Sequence, residues 1–179
     1  MERMILSILV ENTPGVLNRV AGLFSRRGYN IDSLTVGETN NPNISRMTVA
    51  ARGMPDTLIQ IEKQVKKIED VLDVFVLDDN SSVYRELVMI KVKASAAERQ
   101  DIVSIVDIFR CNIVDVAPDS LIIEATGTQS KIDGLLAMLD SFKVLEIVRT
   151  GVAGMARGLS DFDIKKMKSN RETGGISNG

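Results

Sequence analysis

The 179-residue chain has no histidine, no tryptophan and a single cysteine, Cys111. Each absence closes off chemistry. Without histidine there is no Ser-His-Asp triad, no Cys-His pair and no imidazole general base. Zinc sites of the His/Cys kind go too, because one thiolate is not a ligand set. A lone cysteine makes no intrachain disulfide and fits a reducing compartment. Two Tyr and five Phe supply few platforms for base stacking. Lys and Arg are scattered at a formal net charge of −2, so the basic stripe of a nucleic-acid surface is missing. The apolar run in "MERMILSILVE" is bounded by Glu2 and Glu11, is too short to span a membrane, and is followed by no small-residue cleavage pattern. The expectation is a cytoplasmic protein that binds neither nucleic acid nor membrane. At 44% hydrophobic and 26% charged residues, the composition is that of an ordinary globular chain, long enough for one domain or two small ones.

Periodicity organises the chain. "MILSILVE" (4–11) is an apolar run of strand length, and "NTPG" breaks it. From Val16 the apolar residues Val16, Val20, Leu23 and Phe24 keep helical spacing, with Leu17 and Ala21 beside them and Arg19, Arg26 and Arg27 on the solvated side. Gly28 ends that helix. Segments 29–39 and 44–52 alternate around the turn cluster "NNPN" and predict a hairpin. Leu58, Ile61, Val65 and Ile68 mark a second amphipathic helix within 54–70, starting near Asp56 or Thr57. Segment 71–79 is the last strand of this set. After the polar "DDNSS" (78–82) the pattern recurs: a strand at 85–94, a helix at 95–111, a hairpin around Pro118 and Asp119, a helix at 128–142 and a strand at 143–152.

The fold class is therefore α+β, two tandem βαββαβ ferredoxin-like units. The second repeats the topology of the first without repeating its residues. Domain limits follow as 1–79, a linker at 80–84, a C-terminal unit at 85–155, and a flexible tail at 156–179. Within the tail, Ser160 and Asp163 suit a short helix over 161–168.

The turn before the first helix is the one feature with the look of a binding device. Thr13 suits an N-cap, and Pro14 suits the first helical position, where its missing N–H is no loss. Gly15 lets another group approach the backbone closely. The exposed N–H groups of a helix's first turn accept anions, and Asn12 adds an amide that donates and accepts. Asn30 stands just past the helix. Read alone, the same residues are simply a good helix start, Gly28 a plain C-cap and Asn30 a turn residue.

Catalytic motifs are missing. There is no GxGxxG and no GxxxxGK[ST]. Gly151, Gly154 and Gly158 read as linker, Asp78-Asp79 as a solvated turn, and Lys66-Lys67 as a polar helix face. Cys111 reads as a small buried hydrophobe or an inert thiol.

The run "ILSILVENTPGVLNRVAGLFSRRGYNIDSLTVGETNNPNISRMTV" closely resembles the start of the regulatory small subunits of acetohydroxyacid synthase (acetolactate synthase), with "RGYNIDSLTV" and "SRMTV" the most specific pieces. The resemblance continues through "QIEKQVKKIEDVLDV", "RELVMIKV", "IFRCNIVDVAPDSLIIEATG" and "EIVRTGVAGMARG", covering about residues 2–158. It implies an N-terminal ACT domain and a C-terminal small-subunit domain. It implies a non-catalytic chain that binds the large catalytic subunit, activates it and confers feedback inhibition, typically by valine, in branched-chain amino acid biosynthesis. It also implies a homodimer through paired ACT domains, with the effector at their interface. The matching effector positions are Asn12, Pro14, Gly15, Val16 and Leu17, with Asn30 and Ile31 from the partner chain. Thiamine diphosphate, a divalent metal and FAD are expected on the catalytic partner and none on this chain. On this reading a carboxylate at Gly15 excludes the ligand's own by repulsion. The competing class is a free-standing amino-acid-binding ACT regulator.

Overall fold

The structure is a computed structural model that describes residues 2–159. The chain packs as two compact units. One holds the N-terminal residues to Asp32, Val36–Val83 and the return from Gly154; the other holds Ser33–Thr35 and Tyr84–Ala153.

In the first unit the order is β1 (Glu2–Glu11), α1 (Val16–Arg26), β2 (Ile31–Glu38), β3 (Ile44–Gly53), α2 (Pro55–Val65) and β4 (Val71–Leu77). The strands form a sheet in the order β2-β3-β1-β4. β1 runs antiparallel to both neighbours, with Leu6 opposite Val49 and Ile8 opposite Met47 and Val74. Central β1 is buried continuously from Met4 to Val10, as its unbroken apolar run requires. α1 buries Val16, Val20 and Phe24 one above another at a spacing of four. Such burial stabilises by about 1.5–3 kcal/mol per side chain.

The end of α1 is a Schellman motif. Gly28 adopts φ +67°, its N–H donates to Ser25 O at 3.1 Å, and the Tyr29 N–H donates to Phe24 O at 2.9 Å. Tyr29 also sets its ring edge-on to Phe24, centroids 6.4 Å apart, which is the apolar contact that accompanies such a cap.

The second unit repeats the plan: β5 (Ser82–Lys93), α3 (Arg99–Ile108), β6 (Asn112–Val116), β7 (Ser120–Gly127), α4 (Gln129–Met138) and β8 (Val144–Arg149), with strand order β6-β7-β5-β8. Its core joins Val88, Ile90 and Val92 of β5 to Leu121, Ile123 and Ala125 of β7, under Ile102 and Val106 of α3 and Ile132, Leu135 and Leu139 from α4 and its C-cap. Alternation explains the selection, since those strand residues are every second one. α4 starts on Thr128, whose Oγ1 accepts the Lys131 N–H at 3.4 Å.

Several boundaries differ from the periodicity reading. α2 starts at Pro55, with Met54 as N-cap and Pro at the first helical position, one residue before Asp56. It ends at Val65, so Ile68 falls in turns after the helix. α3 starts at Arg99 and not at Ser95. The linker expected at 80–84 is partly strand, because β5 begins at Ser82. A ninth strand, β9 (Ala153–Ala156), pairs with β5 where linker and tail were expected. "AGMA" has neither alternation nor β-branched residues, and its pairing is set by backbone hydrogen bonds that composition does not reveal. The short helix expected over 161–168 lies outside the described residues.

Candidate functional site

The first helix does not begin as a capping rule would have it. Pro14 and Gly15 form a turn in which Thr13 O accepts the Val16 N–H at 3.4 Å, and Gly15 is the residue that flanks the helix, at φ +89° and ψ −10°. That conformation suits glycine and disfavours any residue with a Cβ. Pro14 is thus two residues ahead of the first helical position. No side chain caps α1, and its first turn holds no acidic residue. The start of the helix is therefore positive in potential and carries no carboxylate of its own. Thr13, Pro14 and Gly15 are all exposed.

Asn12 sits where β1 ends and does two jobs. Its backbone N–H donates to Asn43 O at 2.8 Å, and its Nδ2 donates to Pro42 O at 2.8 Å and to Glu38 Oε1 at 3.2 Å. The amide thus ties the β1 end to the β2 end and to the turn after it. Its donors serve the fold, and its Oδ1 is the polar atom of the side chain not used in those bonds.

Arg19 lies on the exposed side of α1, as its helical position predicts, and there it has a partner. Its Nε donates to Asp70 Oδ2 and its Nη2 to Asp70 Oδ1 at 2.7 Å, a bidentate pair. That hydrogen bonding holds the Arg19 pKa above its ordinary value, with the charges of Asp70 and Glu69 adding to it against desolvation. Asp70 in turn accepts the Glu11 N–H at its backbone oxygen, 2.9 Å. The remaining Arg19 nitrogen, Nη1, lies 3.2 Å from where a Cβ on Gly15 would stand. The close approach that Gly15 permits is therefore by a guanidinium of the same chain. A carboxylate introduced at Gly15 would stand beside that guanidinium. Only part of this was readable: Arg19 lies four residues after Gly15 on a helix, but Asp70 is 51 residues away from Arg19.

The other expected site residues divide. Val16 is 2% exposed, and its side chain belongs to the core. Leu17 is exposed at 43% and supplies the apolar surface beside the turn. Asn30 and half-buried Ile31 lie beyond the far end of α1. An 11-residue helix puts about 16 Å between its ends. One chain alone does not bring Asn30 and Ile31 to the Gly15 turn. Asn30 Nδ2 donates instead to Asp32 Oδ1 at 3.4 Å.

In the second unit no side chain caps α3 either, but the turn ahead of it is closed by a carboxylate. The Ser95 N–H donates to Glu98 Oε2 at 2.9 Å, the Ser95 hydroxyl donates to the same oxygen, and the Ser95 carbonyl accepts from the N–H groups of Glu98 and Arg99. Those Ser95 hydrogen bonds hold the Glu98 carboxyl below its usual 4.5. Cys111 packs against the core of this unit, and desolvation pushes its thiol up, partly offset by Lys131. Among the described residues, no three His, Cys, Asp or Glu side chains come together as metal ligands.

A βαββαβ unit whose first helix opens on an uncapped glycine turn has the architecture of an ACT domain. Residues 6–73 match the AHAS small subunit-like ACT domain family, and residues 85–158 match the family described as small subunit of acetolactate synthase. A probable acetolactate synthase small subunit of Methanothermobacter thermautotrophicus is 52% identical over 155 residues, 86% of this chain and 92% of that one. The acetolactate synthase isozyme 3 small subunit of Escherichia coli is 46% identical over 157 residues, 87% of this chain and 96% of that one. The crystal structure of the acetolactate synthase small subunit from Thermotoga maritima superposes with a TM-score of 0.82 at 41% identity, covering 89% of this chain and all of that one. The chain belongs to the acetolactate synthase small subunits, and its role is regulatory and not catalytic.

Proposed function

We propose that this chain binds the large, thiamine-dependent catalytic subunit of acetolactate synthase, raises its activity and makes it sensitive to feedback inhibition by valine. The observation that carries the effector reading is the start of α1, an exposed, left-handed Gly15 turn with no capping side chain and no acidic residue. Valine complements it. Its carboxylate suits the first-turn N–H groups, its ammonium the Asn12 Oδ1, and its small branched side chain the exposed face of Leu17. Asn30 and Ile31 come from a second copy, since their own α1 holds them away from the turn. Pairing of two first units along β2, an edge strand of its sheet, and α1 is the arrangement that suits this, and it covers the β2 edge. A site shared between copies couples occupancy to assembly, and by linkage valine favours whichever state binds it better, typically by ~1–3 kcal/mol.

Co-expression with the catalytic subunit tests the first part. The chain should co-purify with it and raise its turnover, and valine should remove that gain. Calorimetric titration with valine, isoleucine and leucine, with and without the catalytic subunit, tests the second. A purified chain that altered neither the activity nor the valine response of its partner would overturn the reading.

A further inference from the structure

We propose that Ser33 and Thr35 form a clamp on the Gly151 kink, through which strand β2 passes effector binding to the second unit; this rests on the amino-acid reading, which sets Asn30 and Ile31 against the effector. β2 is a strand of the first sheet, yet its residues Ser33–Thr35 pack as part of the second unit. Their partners are residues 150–152, which lie between the end of β8 and the start of β9. Thr35 Oγ1 donates to Val152 O at 3.1 Å, with Thr150 O 3.3 Å away, and Ser33 Oγ accepts the Val152 N–H at 3.3 Å. Gly151 and Val152 are buried, so hydroxyls from β2 serve backbone groups that water does not reach. Gly151 adopts φ +82°, and a Cβ there would stand 2.8 Å from Ser33 Cβ. Glycine is what lets the kink come this close to β2. The kink is also fixed on its far side. The Thr150 N–H donates to Leu87 O at 3.1 Å, and Thr150 Oγ1 accepts the Leu87 N–H at 3.2 Å. One residue earlier, Arg149 makes a bidentate pair with buried Glu86, at 2.7 and 2.8 Å. Both ties end on β5, a central strand of the second sheet. Ile31 and Thr35 are four residues apart on one strand, about 13 Å. A movement of β2 as an effector seats against Asn30 and Ile31 thus reaches the kink along a single strand. The two arrangements that such coupling needs are the clamp made and the clamp broken.

Thr35→Val removes the hydroxyl and keeps the branched shape, Thr35→Ser keeps the hydroxyl, and Ser33→Ala removes the acceptor. Each full-length variant is reconstituted with the catalytic subunit. Residual activity at saturating valine is read beside calorimetric valine affinity, with thermal unfolding as the control for folding. In Thr35→Val and Ser33→Ala, valine affinity and activation without valine should stay within about twofold of wild type. Residual activity at saturating valine should rise about fivefold, the lower end of typical allosteric coupling. Thr35→Ser should be inhibited like wild type. Gly151→Ala, which sets a Cβ against Ser33, should act in the same direction as Thr35→Val. Inhibition of Thr35→Val and Ser33→Ala as complete as that of wild type would overturn the proposal and leave the clamp a structural one. A parallel loss of valine affinity would overturn it too, by making Ser33 and Thr35 effector contacts. Absence of valine binding to wild type would overturn the amino-acid reading itself, and the clamp with it.

Discussion

The two units share one topology and differ at the start of their first helix. Their strand orders, β2-β3-β1-β4 and β6-β7-β5-β8, are the same permutation. α1 opens on Gly15 with nothing capping it, while the Ser95 turn before α3 is closed by Glu98. The ends of these helices show the reverse economy. Both finish in a Schellman motif, one with Gly28 at φ +67° and the other with Arg110 at φ +52°. The bonds correspond, with Tyr29 N–H to Phe24 O matched by Cys111 N–H to Val106 O, each at 2.9 Å. The first unit thus has an unstrained helix end and an open turn ahead of its helix, and the second a strained end and a turn closed by Glu98. A shared fold therefore says little about binding. What differs is whether a carboxylate of the chain itself closes the turn ahead of the first helix.

The largest effect is expected from making the first unit resemble the second. Gly15→Asp places a carboxylate beside Arg19 Nη1, in the proposed effector seat. Aspartate tolerates the left-handed backbone better than most residues. Valine affinity should fall more than about a hundredfold, since both the charge and the space are taken. Activation of the catalytic subunit should remain. Calorimetry showing valine affinity within about threefold of wild type would contradict the site assignment.

A smaller effect separates the two helix ends. Gly28→Ala should destabilise the first unit by about 1 kcal/mol, and Arg110→Gly should stabilise the second by roughly 0.5–1 kcal/mol. A Cβ at Gly28 meets nothing within 4 Å, so the cost there is backbone conformation alone. Chemical denaturation of each variant reads both numbers, and equal and negligible changes would mean that the cap is not strained in either unit.

The smallest effect is a titration. The folded pKa of Glu98 is lowered, so its contribution is complete above the usual 4.5 and is lost as pH falls through the folded value. Carbon-detected NMR should place the Glu98 carboxyl below 4.5, with amide exchange at Ser95 accelerating over the same range. The first unit has no acidic residue in its first turn and should show no matching step at α1. A Glu98 carboxyl titrating at or above 4.5 would remove the self-capping argument.

Much of this was legible from residues alone. Helical spacing in Val16, Val20 and Phe24 and alternation in β5 and β7 rest on burial of one face, which is a local property of sequence. Absence of histidine and of nucleophile motifs also pointed away from catalysis without any structure. The short strand β9 was not legible, because its four residues pair through backbone groups that every sequence has. Neither was the role of Gly15. Pro14 and Thr13 satisfy the ordinary rules for a helix start, and those rules do not register a glycine held at φ +89°.

The sequence by itself determined the two βαββαβ units, their order, the helix end at Gly28 and the family resemblance, because hydrophobic period and turn residues act over a few neighbouring positions. Only the tertiary structure decided what surrounds the Gly15 turn. Asn12 is tied to Glu38 and Pro42, 26 and 30 residues on, and Arg19 to Asp70 at a separation of 51. Such partners are chosen when the sheet closes and brings strand ends together, and no local pattern encodes which carboxylate will be waiting there.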